Sequence, residues 1–153
     1  MSFSRIAVAV DFSAGADLAM RTALDLTRHY GARLLVVHVI PPLVTPSPLL
    51  DDFMVNQATM GLRENMRGSC RAELDRRYLK PAEGVPVQAR ILEGDPAREL
   101  LAMVSQEKID LLVVGSTGLS GLAEVVFGSV AAKVARRASC SVIIVRKPQD
   151  EAA

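Results

Sequence analysis

Short apolar runs alternate with longer amphipathic stretches along this chain of 153 residues. Near-continuous apolar runs are typical of strands buried on both faces of a parallel sheet, whereas apolar residues three or four apart indicate helices. Five runs predict strands, at Arg5–Val10, Leu34–Ile40, Val85–Leu92, Ile109–Val114 and Ser141–Val145. Their alternation with helices predicts an α/β fold, a five-stranded parallel sheet that is doubly wound with a flavodoxin-like strand order.

Residues with capping chemistry mark the ends of the predicted helices. Ser13 can accept a hydrogen bond from the first turn of helix one, and Gly31 supplies the left-handed residue that ends it. Asp95, which is directly followed by proline, marks the start of the third helix in the same way. The second and fourth helices are predicted over Asp51–Tyr78 and Gly128–Ala138.

The composition fits one globular domain of ordinary size. Half of the residues are hydrophobic, and 18 basic residues against 17 acidic ones give a net charge of +1. The chain therefore lacks the clustered basic charge that nucleic-acid binding requires. No apolar run approaches the length of a membrane span or the core of a signal peptide. We predict a single cytoplasmic domain over residues 1–148, a loose tail over 149–153, and neither nucleic acid nor membrane as a partner.

The candidate chemistry lies where the strands end, because open parallel sheets bind ligands there, near the reversal in strand order. Strand four runs into a turn that contains Gly115 and Gly118, and Gly128 and Ser129 open the next helix. The free N–H groups and positive dipole end of such a helix suit a phosphate. The turn is interpreted as a phosphate cradle, with a plain structural turn as the alternative. Asp11, after strand one, is either a ligand-binding acid or a cap-like acid.

Several common signatures of chemistry are absent from the sequence. It has no G-x-G-x-x-G fingerprint after strand one, no P-loop, no H-E-x-x-H pair and no G-x-S-x-G elbow. His38 lies in mid-strand between apolar residues and is interpreted as a hydrogen-bonded core histidine. We therefore predict neither catalytic residues nor metal ligands.

The glycine turn resembles that of a known family. Residues 115–129 fit the motif G-x2-G-x9-G-(S/T) of nucleotide-binding universal stress proteins at every fixed position. Residues 6–13 resemble the first strand and acidic turn of that family, and residues 35–39 resemble its second strand. The resemblance covers essentially the whole chain. It implies a single universal-stress-protein-like domain with the adenine-nucleotide alpha-hydrolase-like form of the fold.

The resemblance also implies a ligand and a set of residues that contact it. Asp11 would accept hydrogen bonds from the ribose or lie near the adenine, and Val39 would present its backbone to the adenine edge. Because the insert over 119–127 has no Lys or Arg and contains Glu124, AMP and ADP are alternatives to ATP, with Mg²⁺ as a further cofactor. The implied nucleotide-binding set is Ala9, Val10, Asp11, Val39, Val114, Gly115, Thr117, Gly118, Gly128, Ser129 and Val130.

The function implied by the resemblance is regulatory. The protein would bind an adenine nucleotide in a stress response and act as a homodimer paired through strand five, Ser141–Val145. The alternatives are a nucleotide-independent dimeric interaction protein and a very slow ATPase. A phosphoacceptor receiver domain has a similar topology, but it requires an acidic pair after strand one, and here Asp11 is followed by Phe12.

Overall fold

The computed structural model of the protein describes residues 2–43, 52–117 and 127–148, so the predicted tail over 149–153 lies outside the described residues. The strands are β1 (Arg5–Ala9), β2 (Arg33–Ile40), β3 (Val87–Glu93), β4 (Leu111–Gly115) and β5 (Ser141–Val145). The helices are α1 (Ala14–Tyr30), α2 (Asp52–Leu74), α3 (Pro96–Gln106) and α4 (Ser129–Arg137). All five predicted strands are present, and their ends differ from the prediction by at most two residues.

The five strands form one parallel sheet in the order β3-β2-β1-β4-β5, which confirms the doubly wound α/β class. The flavodoxin-like order was wrong, because β3 lies outside β2 rather than beside β1. The reason is that α1 and the end of α2 cover the same face of the sheet, while α3 and α4 cover the other. Because each crossover is right-handed, two successive helices on the same face place β2 beside β1 and then β3 beside β2, in the same direction along the sheet.

The predicted caps are confirmed by their hydrogen bonds. Ser13 Oγ accepts from the Ala16 N–H at 3.1 Å, and Asp95 accepts from the Arg98 N–H at 3.0 Å. Gly31 ends α1 with a φ of +62°, in the left-handed region that favours glycine. These local signals fix where the helices begin and end, and therefore which residues stand at the strand ends. Across the described ranges, no helix is long and apolar enough to cross a membrane.

Helix α2 does not run on unchanged to Tyr78, as the prediction had it. It ends at Leu74 and passes into one π-helical turn, Asp75–Leu79. Leu74 and Tyr78 are both buried in the core on the α1 side of the sheet, and Tyr78 is only 3% exposed. The wider turn lies where these two large side chains enter the core. Single π turns of this kind are frequent near functional sites.

Candidate functional site

A cleft of about 230 Å³ opens at the carboxyl ends of β1 and β4, where the strand order reverses. Ligands bind at this point in open α/β sheets. Ten of the eleven residues predicted from the sequence line this one cleft; the eleventh, Gly118, lies outside the described residues, as does most of the insert after it. The ten are Ala9, Val10, Asp11, Val39, Val114, Gly115, Thr117, Gly128, Ser129 and Val130.

Further residues, which the sequence patterns did not indicate, also line the cleft. From the first turns of α3, Pro96 forms a wall and Leu100 part of the floor, and Ala16 contributes from the first turn of α1. The strand-end rule would have indicated the α3 wall, because this helix follows β3 after a turn of two residues. Leu100 is buried with Val37 in the core on the α3 side, so the cleft has an apolar floor that suits a flat ring.

The backbone of Val39 is exposed to the cleft because β1 ends early. The Val10 N–H donates to the Val37 carbonyl at 2.8 Å, the last rung between β1 and β2. The backbone N–H and C=O groups of successive residues point to alternate sides of a strand, so the groups of Val39 point to the same side as those of Val37, toward β1. Because β1 ends at Ala9, no residue of β1 lies opposite Val39. The Val10 carbonyl, which follows the end of β1, lies 2.8 Å from Nδ1 of His38. A backbone donor and acceptor at this position can read the edge of a base.

The carboxylate of Asp11 is held by the residue two positions further on. The Ser13 N–H donates to Asp11 Oδ1 at 3.1 Å, and the Ser13 hydroxyl donates to the same oxygen. Phe12, between them, has a φ of +64°. This left-handed conformation costs a bulky residue roughly 1 kcal/mol. Asp11 therefore combines the two alternatives of the sequence analysis, since it binds the cap residue of α1 and also lines the cleft.

Gly115 is required by a close approach of backbone and not by its own torsion. Its φ does not lie in the left-handed region. A Cβ at Gly115 would come within 2.9 Å of the carbonyl carbon and oxygen of Gly15, on α1. A Cβ at Gly15 would in turn come within 2.7 Å of the Thr117 carbonyl oxygen. The close approach is therefore one between α1 and the turn after β4, and Gly15 belongs to the residues that shape the cleft.

Helix α4 begins at the cleft and directs its first amides toward it. Gly128 is the N-cap residue and offers no side chain, so the N–H groups of the first helical turn have no capping partner within the helix. These belong to Ser129, Val130 and Ala131, all of which line the cleft. The N–H of Gly128 donates to the Ser116 carbonyl at 2.7 Å. The Gly128 amide is therefore already paired within the protein, and the Ala131 N–H, which the sequence patterns did not single out, belongs to the free first turn of α4.

The electrostatics of the described cleft lining depend on one acid and on three helix N-termini, of which that of α4 alone has no side-chain cap. Asp11 is the single ionisable side chain among the described lining residues. Lys133, the basic residue in the first turns of α4, is exposed and does not line the cleft. Within the described ranges, no three His, Cys, Asp or Glu side chains come close enough to hold a metal ion. Positive potential in the cleft therefore comes from helix N-termini, chiefly the uncapped N-terminus of α4.

A polar and aromatic cluster lies behind Asp11, on the α1 side of the sheet. Tyr78 donates a hydrogen bond to Asp17 at 2.8 Å, and Arg77 binds both carboxylate oxygens of Asp17, at 3.0 and 2.7 Å. Burial, together with the hydrogen bond to Asp17, raises the pKa of Tyr78 far above its ordinary value. His38 has its hydrogen-bond partner in the Val10 carbonyl, as expected of a core histidine. This cluster was not predicted, since its members come from three separate parts of the chain.

These features define the class of the protein: an open, doubly wound α/β domain with a cleft at the reversal of strand order, beside a helix N-terminus. Within that class, the chain belongs to the universal stress protein family, whose model matches residues 2–146. The relationship predicted from the glycine turn is therefore confirmed.

Individual relatives agree with the family assignment. Universal stress protein YxiE of Bacillus subtilis is 33% identical over 147 residues, which cover 94% of this chain and 99% of that protein. The solved structure of universal stress protein UspA from Lactobacillus plantarum superimposes with a TM-score of 0.77 at 26% identity, covering 95% of this chain and 99% of that one. A universal stress protein in complex with cAMP superimposes with a TM-score of 0.63 at 28% identity, covering 95% and 98%.

Proposed function

We propose that this protein is an adenine-nucleotide-binding regulator of the stress response that acts as a homodimer in the cytoplasm. One observation carries the proposal: the ten described residues implied by the resemblance, which come from four separate segments of the chain, line a single cleft. The same cleft combines an apolar floor, an exposed strand backbone, one carboxylate and a helix N-terminus. Each of these features matches one part of a nucleotide.

The parts of the cleft correspond to the parts of the ligand in order. The adenine ring packs on the apolar floor formed by Val37 and Leu100, and its edge faces the backbone of Val39. The carboxylate of Asp11 accepts hydrogen bonds from the ribose or the adenine amino group. The first amides of α4 donate to a phosphate, which needs no basic side chain because the helix end supplies positive charge.

The number of phosphates follows from the charges. A helix N-terminus is equivalent to about half an elementary charge, so one phosphate is better matched than three. The cAMP bound by the related structure also carries a single phosphate. We therefore expect AMP to bind at least as tightly as ATP in the absence of divalent cations. Mg²⁺ selectively improves the binding of ATP, since it neutralises the outer phosphates.

Calorimetric titration tests the proposal directly. Purified protein, stripped of co-purified nucleotide, is titrated with AMP, ADP and ATP, each with Mg²⁺ and with EDTA. We expect saturable binding of one nucleotide per subunit in the micromolar range, about −8 kcal/mol. The absence of binding by all three nucleotides would contradict the proposal. A nucleotide-independent dimeric interaction protein would then be the better reading.

The variant Asp11→Asn tests the site assignment. A hydrogen bond to a charged group contributes about 1.5–3 kcal/mol, so removal of the charge should lower affinity about ten- to a hundredfold. Asp25→Asn is the matched control, because Asp25 is an exposed α1 residue that only pairs with Arg28 at 3.7 Å. The nucleotide affinity of Asp25→Asn should stay within about twofold of that of the wild type. Equal affinities in the two variants would remove Asp11 from the site.

A further inference from the structure

We propose that Phe12 is a positioning residue of the cleft, whose left-handed backbone, held by ring contacts to His38 and Tyr78, sets the direction of the Asp11 carboxylate. The proposal deepens the proposed function and rests on it for the role of Asp11 toward the ligand. Its structural part, the control of Asp11 by Phe12, concerns the free protein and can be tested without any nucleotide.

The backbone of Phe12 decides where Ser13 lies relative to Asp11. Both the N–H and the hydroxyl of Ser13 donate to Asp11 Oδ1, so the chain closes a small ring across Phe12. In this structure the ring closes with Phe12 at a φ of +64°, which directs both Ser13 donors at the carboxylate. In the extended conformation that phenylalanine prefers, the Ser13 N–H would point elsewhere and the carboxylate would lose these two donors. The orientation of Asp11 therefore depends on an unfavourable torsion at its neighbour.

Ring contacts compensate for that torsion. The Phe12 ring lies 4.6 Å from the His38 ring at 40°, and 6.1 Å from the Tyr78 ring at 10°, centroid to centroid. Both neighbours are themselves fixed. The Nδ1 of His38 lies 2.8 Å from the Val10 carbonyl, and the Tyr78 hydroxyl donates to Asp17 at 2.8 Å. The Phe12 ring is thus held between β2 and the π-helical turn.

Phe12 connects the two sides of the sheet. Its ring packs against the core on the α1 side, whereas Asp11 lines the cleft, whose floor belongs to the core on the α3 side. Residues held in rare torsions by their surroundings are concentrated at binding sites. This strained residue directly follows the only ionisable side chain of the described cleft lining, and it has no contact with the cleft itself. A positioning role accounts for both facts.

Amide hydrogen exchange of Ser13 in the ligand-free protein tests the structural part. Phe12→Val disfavours the left-handed region strongly, because valine is β-branched, whereas Phe12→Asn loses the ring but tolerates that region. We expect Ser13 protection to fall at least tenfold in Phe12→Val and to stay within threefold of the wild type in Phe12→Asn. If Phe12→Val does not fold, Phe12→Ala takes its place. Unchanged protection in the folded valine or alanine variant would overturn the proposal.

A double-mutant cycle with AMP tests the functional part. Phe12→Val should weaken AMP binding at least tenfold in the wild-type background and less than twofold in the Asp11→Asn background. A merely structural role of Phe12 would give the same loss in both backgrounds, and that result would overturn the proposal. If the wild type binds no nucleotide, the proposed function fails, and the exchange of Ser13 alone then decides whether Phe12 orients Asp11.

Discussion

Gly15 and Gly115 show how the absence of two side chains shapes the cleft. The first turn of α1 lies directly against the end of β4, so that a methyl group on either residue would meet backbone atoms of the other segment. Backbone cannot move aside as a flexible side chain can. Because Asp11 and Ser13 precede α1 directly, and Ser116 and Thr117 follow β4 directly, this contact also fixes the distance between two walls of the cleft.

Gly115→Ala should therefore destabilise the protein. The new Cβ would lie 2.9 Å from the backbone of Gly15, and overpacking of this kind costs about 1–3 kcal/mol. Gly68→Ala is the matched control, because Gly68 lies in α2 with no atom within 4 Å of its added Cβ. That change should stabilise the helix by about 0.5–1 kcal/mol. Urea unfolding measures both, and equal stabilities would contradict the interlocking of α1 with β4.

At the scale of elements, an ion pair joins α1 to the π-helical turn. Asp17 lies in the first turn of α1 and binds Arg77 and Tyr78, which lie in the π-helical turn. Burial by itself would raise the pKa of Asp17, but the hydrogen bonds from Arg77 and Tyr78 outweigh it and hold that pKa below its ordinary value. A carboxyl whose pKa is lowered by folding stabilises the folded state above its unfolded pKa, and this contribution is lost on acidification.

Asp17→Asn should lower the free energy of unfolding at neutral pH by about 1.5–2 kcal/mol, the lower part of the range for hydrogen bonds to charged groups. Asp17 is partly exposed, which places it at that lower end. The difference between wild type and variant should shrink as the pH falls below about 4, through the lowered pKa of Asp17. Urea unfolding at pH 7 and pH 3 measures this. A difference that does not depend on pH would show that packing, and not the charge, is responsible.

Elements differ in how far the sequence predicts them, and the reason is the range of the interactions that fix them. The caps at Ser13, Gly31 and Asp95 depend on neighbours within a few residues, and all three were predicted. The position of β3 depends on which face α2 covers, and only long-range packing decides that. The same holds for the site: the cleft and its α3 residues could be predicted from strand ends, but the contact of Gly15 with the end of β4 brings together distant parts of the chain.

At the scale of the whole molecule, the two edge strands of the sheet, β3 and β5, differ in the side chains that surround them. On the outer side of β3, the Ala89 and Ile91 carbonyls accept from Arg71 and Arg67 of α2, at 3.4 and 3.5 Å. Charged side chains over an edge discourage pairing with another strand. In β5, by contrast, the four residues from Val142 to Val145 are apolar and each is only half-buried. This asymmetry favours β5 as the strand that pairs in the proposed homodimer.

Proline substitutions in β5 can distinguish its pairing with a second subunit from its pairing with β4 in the same subunit. The Ser141 N–H donates to the Asp110 carbonyl at 3.3 Å, and the Val145 carbonyl accepts from Ser116 at 2.8 Å. The odd-numbered residues of β5 therefore direct their backbone toward β4, and Val142 directs its N–H outward. Val142→Pro should leave the fold intact, since proline is tolerated where the lost N–H faces away from the sheet.

Ile143→Pro removes an N–H that faces β4, and is the matched control. Light scattering should show a dimer for the wild type and a monomer for Val142→Pro, with an unchanged circular dichroism spectrum. Ile143→Pro should instead lose stability, by roughly 1 kcal/mol or more, because a ladder hydrogen bond is lost. A Val142→Pro protein that dimerises as tightly as the wild type would place the interface elsewhere. A monomeric wild type would contradict the proposed homodimer.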